Sequence, residues 1–206
     1  MSGCCDSDCA VQPVQQRQRN TLWAVLVINA LMFAVIVIAA LYARSSALLA
    51  DSLDNLGDAL TYALSLYAVS RGATAKARVA LFKGILILLA ACAVAGQIVY
   101  RLLEPGVPVF ELMGAFSLLA LLANSFCLYL LWRHRHEDVN MSSVWECSRN
   151  DIAANISVFL AAGGVWLTGS GWPDIVVASA LVVLLLRSAL RVIRSALSEL
   201  QYGASR

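Results

Sequence analysis

Asp51, Asp54 and Asp58 fall within eight residues, "DSLDNLGD", of a segment that is otherwise apolar, between "SSALLA" and "ALTYALSLYAVS". On a helix turning about 100° per residue the three carboxylates share one narrow face, with Asn55 at its border. Further along, in "WECSRNDIAANISVF", Cys147 and Asp151 are four residues apart and Asn155 continues their face by one turn. The pairs Asp54/Asp58 and Cys147/Asp151 offer three carboxylates and a thiolate converging from two helices, a tetrahedral donor set. Such a set suits a borderline or soft divalent cation such as Zn²⁺ or Cd²⁺, and suits Mg²⁺ or Ca²⁺ poorly because these favour oxygen alone. A second reading stays open for Cys147, that of a small apolar filler. Asp51, nearest the end of its segment, reads as an interfacial or capping carboxylate or as part of a cation path, with Asn55 and Asn155 as neighbouring polar groups.

The elements that must position these groups are membrane helices. The chain is 60% hydrophobic and 14% charged, with a mean hydropathy of +0.75, which excludes an ordinary soluble domain. Apolar segments of membrane-crossing length, about 20 residues, lie near 20–43, 46–70, 79–103, 109–132, 140–168 and 174–197. The expected fold is therefore an all-α membrane protein of six transmembrane helices. Residues 1–19 read as a flexible cytosolic tail containing cysteines, 20–197 as the membrane domain and 198–206 as a short cytosolic tail, with no cleavable signal peptide. Arg17, Arg19, Arg71, Lys76, Arg78, Arg133, Arg135, Arg191, Arg194 and Arg206 fall on one side, which the positive-inside rule makes cytosolic. Both termini then face the cytosol. Arg44 and Arg101 fall on the other side, where they are expected to snorkel into headgroups, as is Lys83 on the inner side.

An Asp at a helix centre costs about 2.5–3.5 kcal/mol on insertion scales, so the carboxylates must turn away from lipid and find partners. Other polar groups have plainer readings. Cys4, Cys5 and Cys9 form either a reduced, cytosolic metal-capture cluster or a dispensable tail. His134 and His136, in "RHRHED", belong to a solvated basic loop that could also capture metal. Cys92 and Cys127 read as packing residues.

Taken together, "VIVIAALYARSSALLADS", "SSALLADSLDNLGDALTYALSLYA", "YRLLEPGVP", "ANSFCLYLLWRHRHEDVNMSSVWECSRNDIAANISV" and "GWPDIVVASALVVLLLRSALRVIRSALSEL" resemble the cation diffusion facilitators from about residue 20 to 200. The resemblance implies proton-coupled export of a divalent transition metal from the cytosol, Zn²⁺ or Cd²⁺ foremost and Co²⁺ next. It implies a transport site at Asp54, Asp58, Cys147 and Asp151, where Cys147 replaces the usual His and makes the site softer. It also implies a homodimer. The family commonly continues into a ferredoxin-like cytosolic domain; the expectation here is a variant without it, whose dimer rests on membrane helices. The metal is cargo, so no permanent cofactor is expected. The expected surroundings are lipid, not nucleic acid, in a bacterial inner membrane. Two other classes compete: a metal-binding sensor or scaffold that transports nothing, and an intramembrane aspartyl enzyme. The enzyme is the weaker, because Asn55 stands where a Gly-x-Gly-Asp motif ending at Asp58 needs glycine.

Overall fold

The computed structural model describes the backbone of residues 6–68, 73–132 and 139–204, and the side chains among these except at 6–18, 65, 67–68, 73–76, 139–150 and 202–204. Six helices make up this architecture: α1 (Asp6–Ala43), α2 (Ser46–Ala68), α3 (Ala73–Leu103), α4 (Phe110–Trp132), α5 (Val139–Thr168) and α6 (Trp172–Ala204). No strand occurs among the described residues. The boundaries differ from expectation most at the start of α1, at the end of α6, which runs on to Ala204 through the expected C-terminal tail, and at the start of α3. α1 begins at Asp6, so the helix of the first apolar segment runs back through the polar stretch expected to be flexible; its Gln and Arg residues are good helix formers. α3 begins at Ala73, not 79, which places Lys83 ten residues deep. Cys4, Cys5, His134 and His136, and the side chains of Cys9 and Cys147, lie outside the described residues.

Five helices, α1 and α3 to α6, are long and apolar enough to cross a membrane. α2 is not among them, because any membrane-length window of it contains Asp51, Asp54 and Asp58. Packing explains how so polar a helix is accommodated: α2 contacts each of the other five helices. The large exposed apolar residues, such as Leu41, Phe82, Leu89, Leu122 and Leu167, belong to the surrounding helices, and none found among the described residues is on α2. The outer helices thus present an apolar surface, as a bundle dissolved in hydrocarbon must, while α2 forms the enclosed axis. Small residues let the backbones approach closely. Ala47 and Ala50 of α2, Ala91 of α3 and Ala178 of α6 are fully buried. At Gly84 an added Cβ would lie 2.7 Å from Ile193, so only glycine admits α6 at this distance from α3.

Three connections meet at one end of the bundle. The Val109 N–H donates to the Ala43 carbonyl at 2.9 Å, joining the α3–α4 and α1–α2 connections. A Cβ on Gly171 would lie 2.5 Å from the Gly106 carbonyl, so the α5–α6 connection touches the same place. Tyr42, Tyr100, Trp166 and Trp172 are exposed toward this end, and Trp23, Tyr129 and Trp132 toward the opposite one. Two such aromatic girdles are the pattern that amphipathic rings adopt at the two membrane–water boundaries.

Candidate metal centre

The α2 face predicted from the sequence meets α5 inside the bundle. Asp58 and Asp151 are 7% and 9% exposed, and their carboxyl groups lie against each other. An ionised carboxylate only accepts, so this contact requires a proton on one of the two, or a cation in its place. The Tyr62 hydroxyl donates to Asp58 Oδ2 at 2.7 Å from one turn further along α2. Asp54, one turn the other way, is half-buried. It lies in the field of both Asp51 and Asp58, and no hydrogen bond from a described residue reaches its carboxylate. The helix spacing and the packing of α2 against α5 therefore bring Asp58 and Asp151 together, with Asp54 adjacent. Cys147 is placed by the backbone one turn before Asp151 on α5. Among the described residues no three His, Cys, Asp or Glu side chains are gathered tightly enough to hold a metal ion.

Asp51 is not the interfacial cap that its position suggests. It is fully buried, and its Oδ1 accepts from Asn155 Nδ2 at 3.1 Å. Asn155 also donates to the Asp151 carbonyl at 2.7 Å and accepts from Asn124 of α4 at 3.4 Å. This amide thereby links three helices beside the carboxylates. The burial follows from α2's central place: a residue one turn inside an enclosed helix never reaches the boundary.

Lys83 does not snorkel to the headgroups. Its ammonium donates to the Thr61 hydroxyl, which itself donates to the Gly57 carbonyl at 2.7 Å, and it lies within the field of Asp58. This contact turns the ammonium across to α2 instead of along its own helix to the boundary. Cys127 is more than filler: it is fully buried, receives a hydrogen bond from Asn29 of α1 at 3.8 Å, and lies near both Asp58 and Asp151.

Asp174 was not singled out by sequence reasoning. Only 2% exposed, it accepts from the Ser45 hydroxyl at 2.5 Å and from the backbone N–H groups of Ser46 and Ala47 at 2.8 and 3.0 Å. Ser45 in turn caps α2, accepting from the Leu48 N–H at 3.0 Å. A carboxylate of α6 thus satisfies the first turn of α2, and Arg101 of α3 lies close enough to act on its charge. The local signal was there, since Pro followed by Asp is a usual helix start, but nothing local names the recipient helix.

An open apolar groove of about 720 Å³ between α5 and α6, lined by Leu160, Ala161, Trp172 and Val176, includes none of these carboxylates. It is not the centre of the chemistry.

The family described as the cation efflux transmembrane domain matches residues 22–201, which contain α2 to α5 whole, most of α1 and α6, and each of the carboxylates above. No curated protein matches the chain.

Proposed function

The chain belongs to the cation efflux family, the cation diffusion facilitators, and on that premise we propose that it exports Zn²⁺ or Cd²⁺ from the cytosol in exchange for protons, with Co²⁺ a further candidate. Membership alone makes it an integral, multi-pass membrane protein that transports metal cations; the metal, the coupling and the site are this proposal.

The observation that carries the reading is the contact between Asp58 of α2 and Asp151 of α5 inside an apolar bundle. Two carboxyls held together in a poorly solvating interior favour a partner of positive charge, either a proton or a divalent cation, and exchange one for the other. Asp54 supplies a third oxygen ligand and Cys147 a thiolate. Sulfur in the set favours Zn²⁺ or Cd²⁺ over hard ions. Metal arriving from the cytosol displaces protons, and protons arriving from outside displace the metal. The proton gradient then drives export.

The topology proposed with it has six spans and both termini in the cytosol. α2 starts at the end where the three connections meet, and α3 returns to that end, so α2 traverses the bundle although it is not apolar enough to be recognised as a span. Exposed Arg19, Arg78, Arg191 and Arg194 lie toward the opposite end, which the positive-inside rule makes cytosolic. A homodimer through membrane helices and a place in a bacterial inner membrane, where protons run inward, complete the reading.

Everted vesicles test it. Imposing a pH gradient should drive Zn²⁺ or Cd²⁺ uptake in the wild type and none in Asp58→Ala or Asp151→Ala. Undiminished uptake in both variants would sink the site, and gradient-independent uptake would sink the coupling.

A further inference from the structure

Among the described residues, two buried oxygen acceptors near the metal carboxylates have no donor. Asp51 Oδ2 and Asn55 Oδ1 are both without a hydrogen-bond partner, on residues 0% and 1% exposed. They belong to residues four apart on α2, so their side chains are neighbours on one face. Asn55 also turns its amide back along the helix, donating from Nδ2 to the Asp51 carbonyl at 3.3 Å, which brings its Oδ1 toward the same turn. The surrounding donors are spent: Asn155 Nδ2 serves Asp51 Oδ1 and the Asp151 carbonyl, and Asn124 Nδ2 serves Asn155 Oδ1.

Two orphaned acceptors one turn apart on the same helix face are unfavourable in a dry interior, each costing on the order of 1–3 kcal/mol, and an unpaired carboxylate there costs more. A single proton removes both defects: carried on Asp51 Oδ2, it can be donated to Asn55 Oδ1. We propose that Asp51 is a proton site distinct from the metal ligands, holding its proton against Asn55 while the metal site is empty and releasing it when the cation binds. This deepens the exporter reading and rests on it for the coupling, though not for the proton itself.

The surroundings set the direction of the response. Asp54 of α2 lies in the field of Asp51; toward the metal pair come Asp58 of α2, Asp151 of α5, Lys83 of α3 and the thiol of Cys127 of α4, and at the capped end Asp174 of α6 with Arg101 of α3. α1 contributes the neutral Asn29, beside Cys127. With the site empty, the Asp54 carboxyl next to it on α2 disfavours a second negative charge at Asp51. A divalent cation on Asp54 reverses the sign of that field, and the proton leaves. Asp51 lies on α2 between the metal pair and the end where the three connections meet, so its proton can be refilled from that side.

The test uses the full chain in nanodiscs. Infrared difference spectra of the metal-free protein should contain a protonated-carboxyl stretch that disappears in Asp51→Asn. Zn²⁺ should still bind to this variant, with one proton fewer released per ion, measured by calorimetry in buffers of different ionisation enthalpy. Because the new amide supplies the donor that Asn55 lacks, Asp51→Asn should melt no lower than wild type. Asn55→Leu is the second variant: with Asp51 intact but its acceptor gone, the stretch should shift and not vanish. An unchanged band in either variant, an unchanged proton count in Asp51→Asn, or loss of Zn²⁺ binding by folded Asp51→Asn would each overturn the proposal. Failure of the wild type to bind Zn²⁺ or Cd²⁺ would instead overturn the exporter reading and the coupling built on it, with the Asp51 band still reporting the proton.

Discussion

The Tyr62 hydroxyl, fully buried, donates to Asp58 Oδ2 at 2.7 Å, so one oxygen of the α2 carboxylate is held while the other face remains for Asp151. Such outer contacts orient ligands and typically matter 10–100-fold in metal affinity. Tyr62→Phe keeps the packing of the ring against Leu22, Val25, Cys127 and Leu131 and removes only the donor. Metal affinity by calorimetry is expected to fall about tenfold, with little change in melting temperature.

Asp174 predicts a stability effect that leaves the chemistry alone. Replacing it by Ala leaves the Ser46 and Ala47 N–H groups and the Ser45 hydroxyl without their shared acceptor at the first turn of α2. Losing a cap costs about 1 kcal/mol, and each buried group left unsatisfied about 1–3 kcal/mol. Asp174→Ala should therefore destabilise by roughly 3 kcal/mol in thermal melts, and Asp174→Asn, which keeps an oxygen acceptor, by less. Metal affinity of the protein that remains folded should be unaltered.

The contrast between Asp174 and Asp58 shows what a sequence can disclose. Six apolar stretches set the number of helices, and four-residue spacing put Asp54 with Asp58 and Cys147 with Asp151 on shared faces, because those relations are local to one helix. Which helix occupies the axis is not local. It depends on packing, and so the burial of Asp51, the inward turn of Lys83 and the capping of α2 by a carboxylate of α6 were not legible. Lys83 shows the same limit: the acceptor that turns its ammonium inward, Thr61, belongs to another helix.

Lys83 stands beside Asp58 with its ammonium on Thr61, so a fixed positive charge opposes the arrival of a divalent cation. In the low effective dielectric of a protein interior this repulsion is not screened as it is in water. Lys83→Met is expected to tighten Zn²⁺ binding by about tenfold, equivalent to ~1.4 kcal/mol, and to increase the protons released per ion, since the emptied site then depends on protons alone for neutrality. Lys83→Arg, which keeps the charge, should behave as wild type in both measurements. Weaker binding in Lys83→Met would show that the ammonium organises the site instead of opposing the cation.

Cys147 decides selectivity if its thiolate completes the ligand set from the turn before Asp151. Thiolate is softer than imidazole and carries a full charge, and Cd²⁺ gains more from it than Zn²⁺ or Co²⁺ does. Cys147→His should keep transport of Zn²⁺ and lower the ratio of Cd²⁺ to Zn²⁺ uptake by about tenfold, a ~1.4 kcal/mol change in relative binding. Cys147→Ala, with three carboxylates left, should lose affinity for both ions and discriminate little between them and Mn²⁺. Uptake of Zn²⁺, Cd²⁺, Co²⁺ and Mn²⁺ by vesicles carrying each variant separates the cases. A wild-type pattern in Cys147→Ala would mean that the thiol is only packing, and that Asp54, Asp58 and Asp151 hold the ion with water as the fourth ligand.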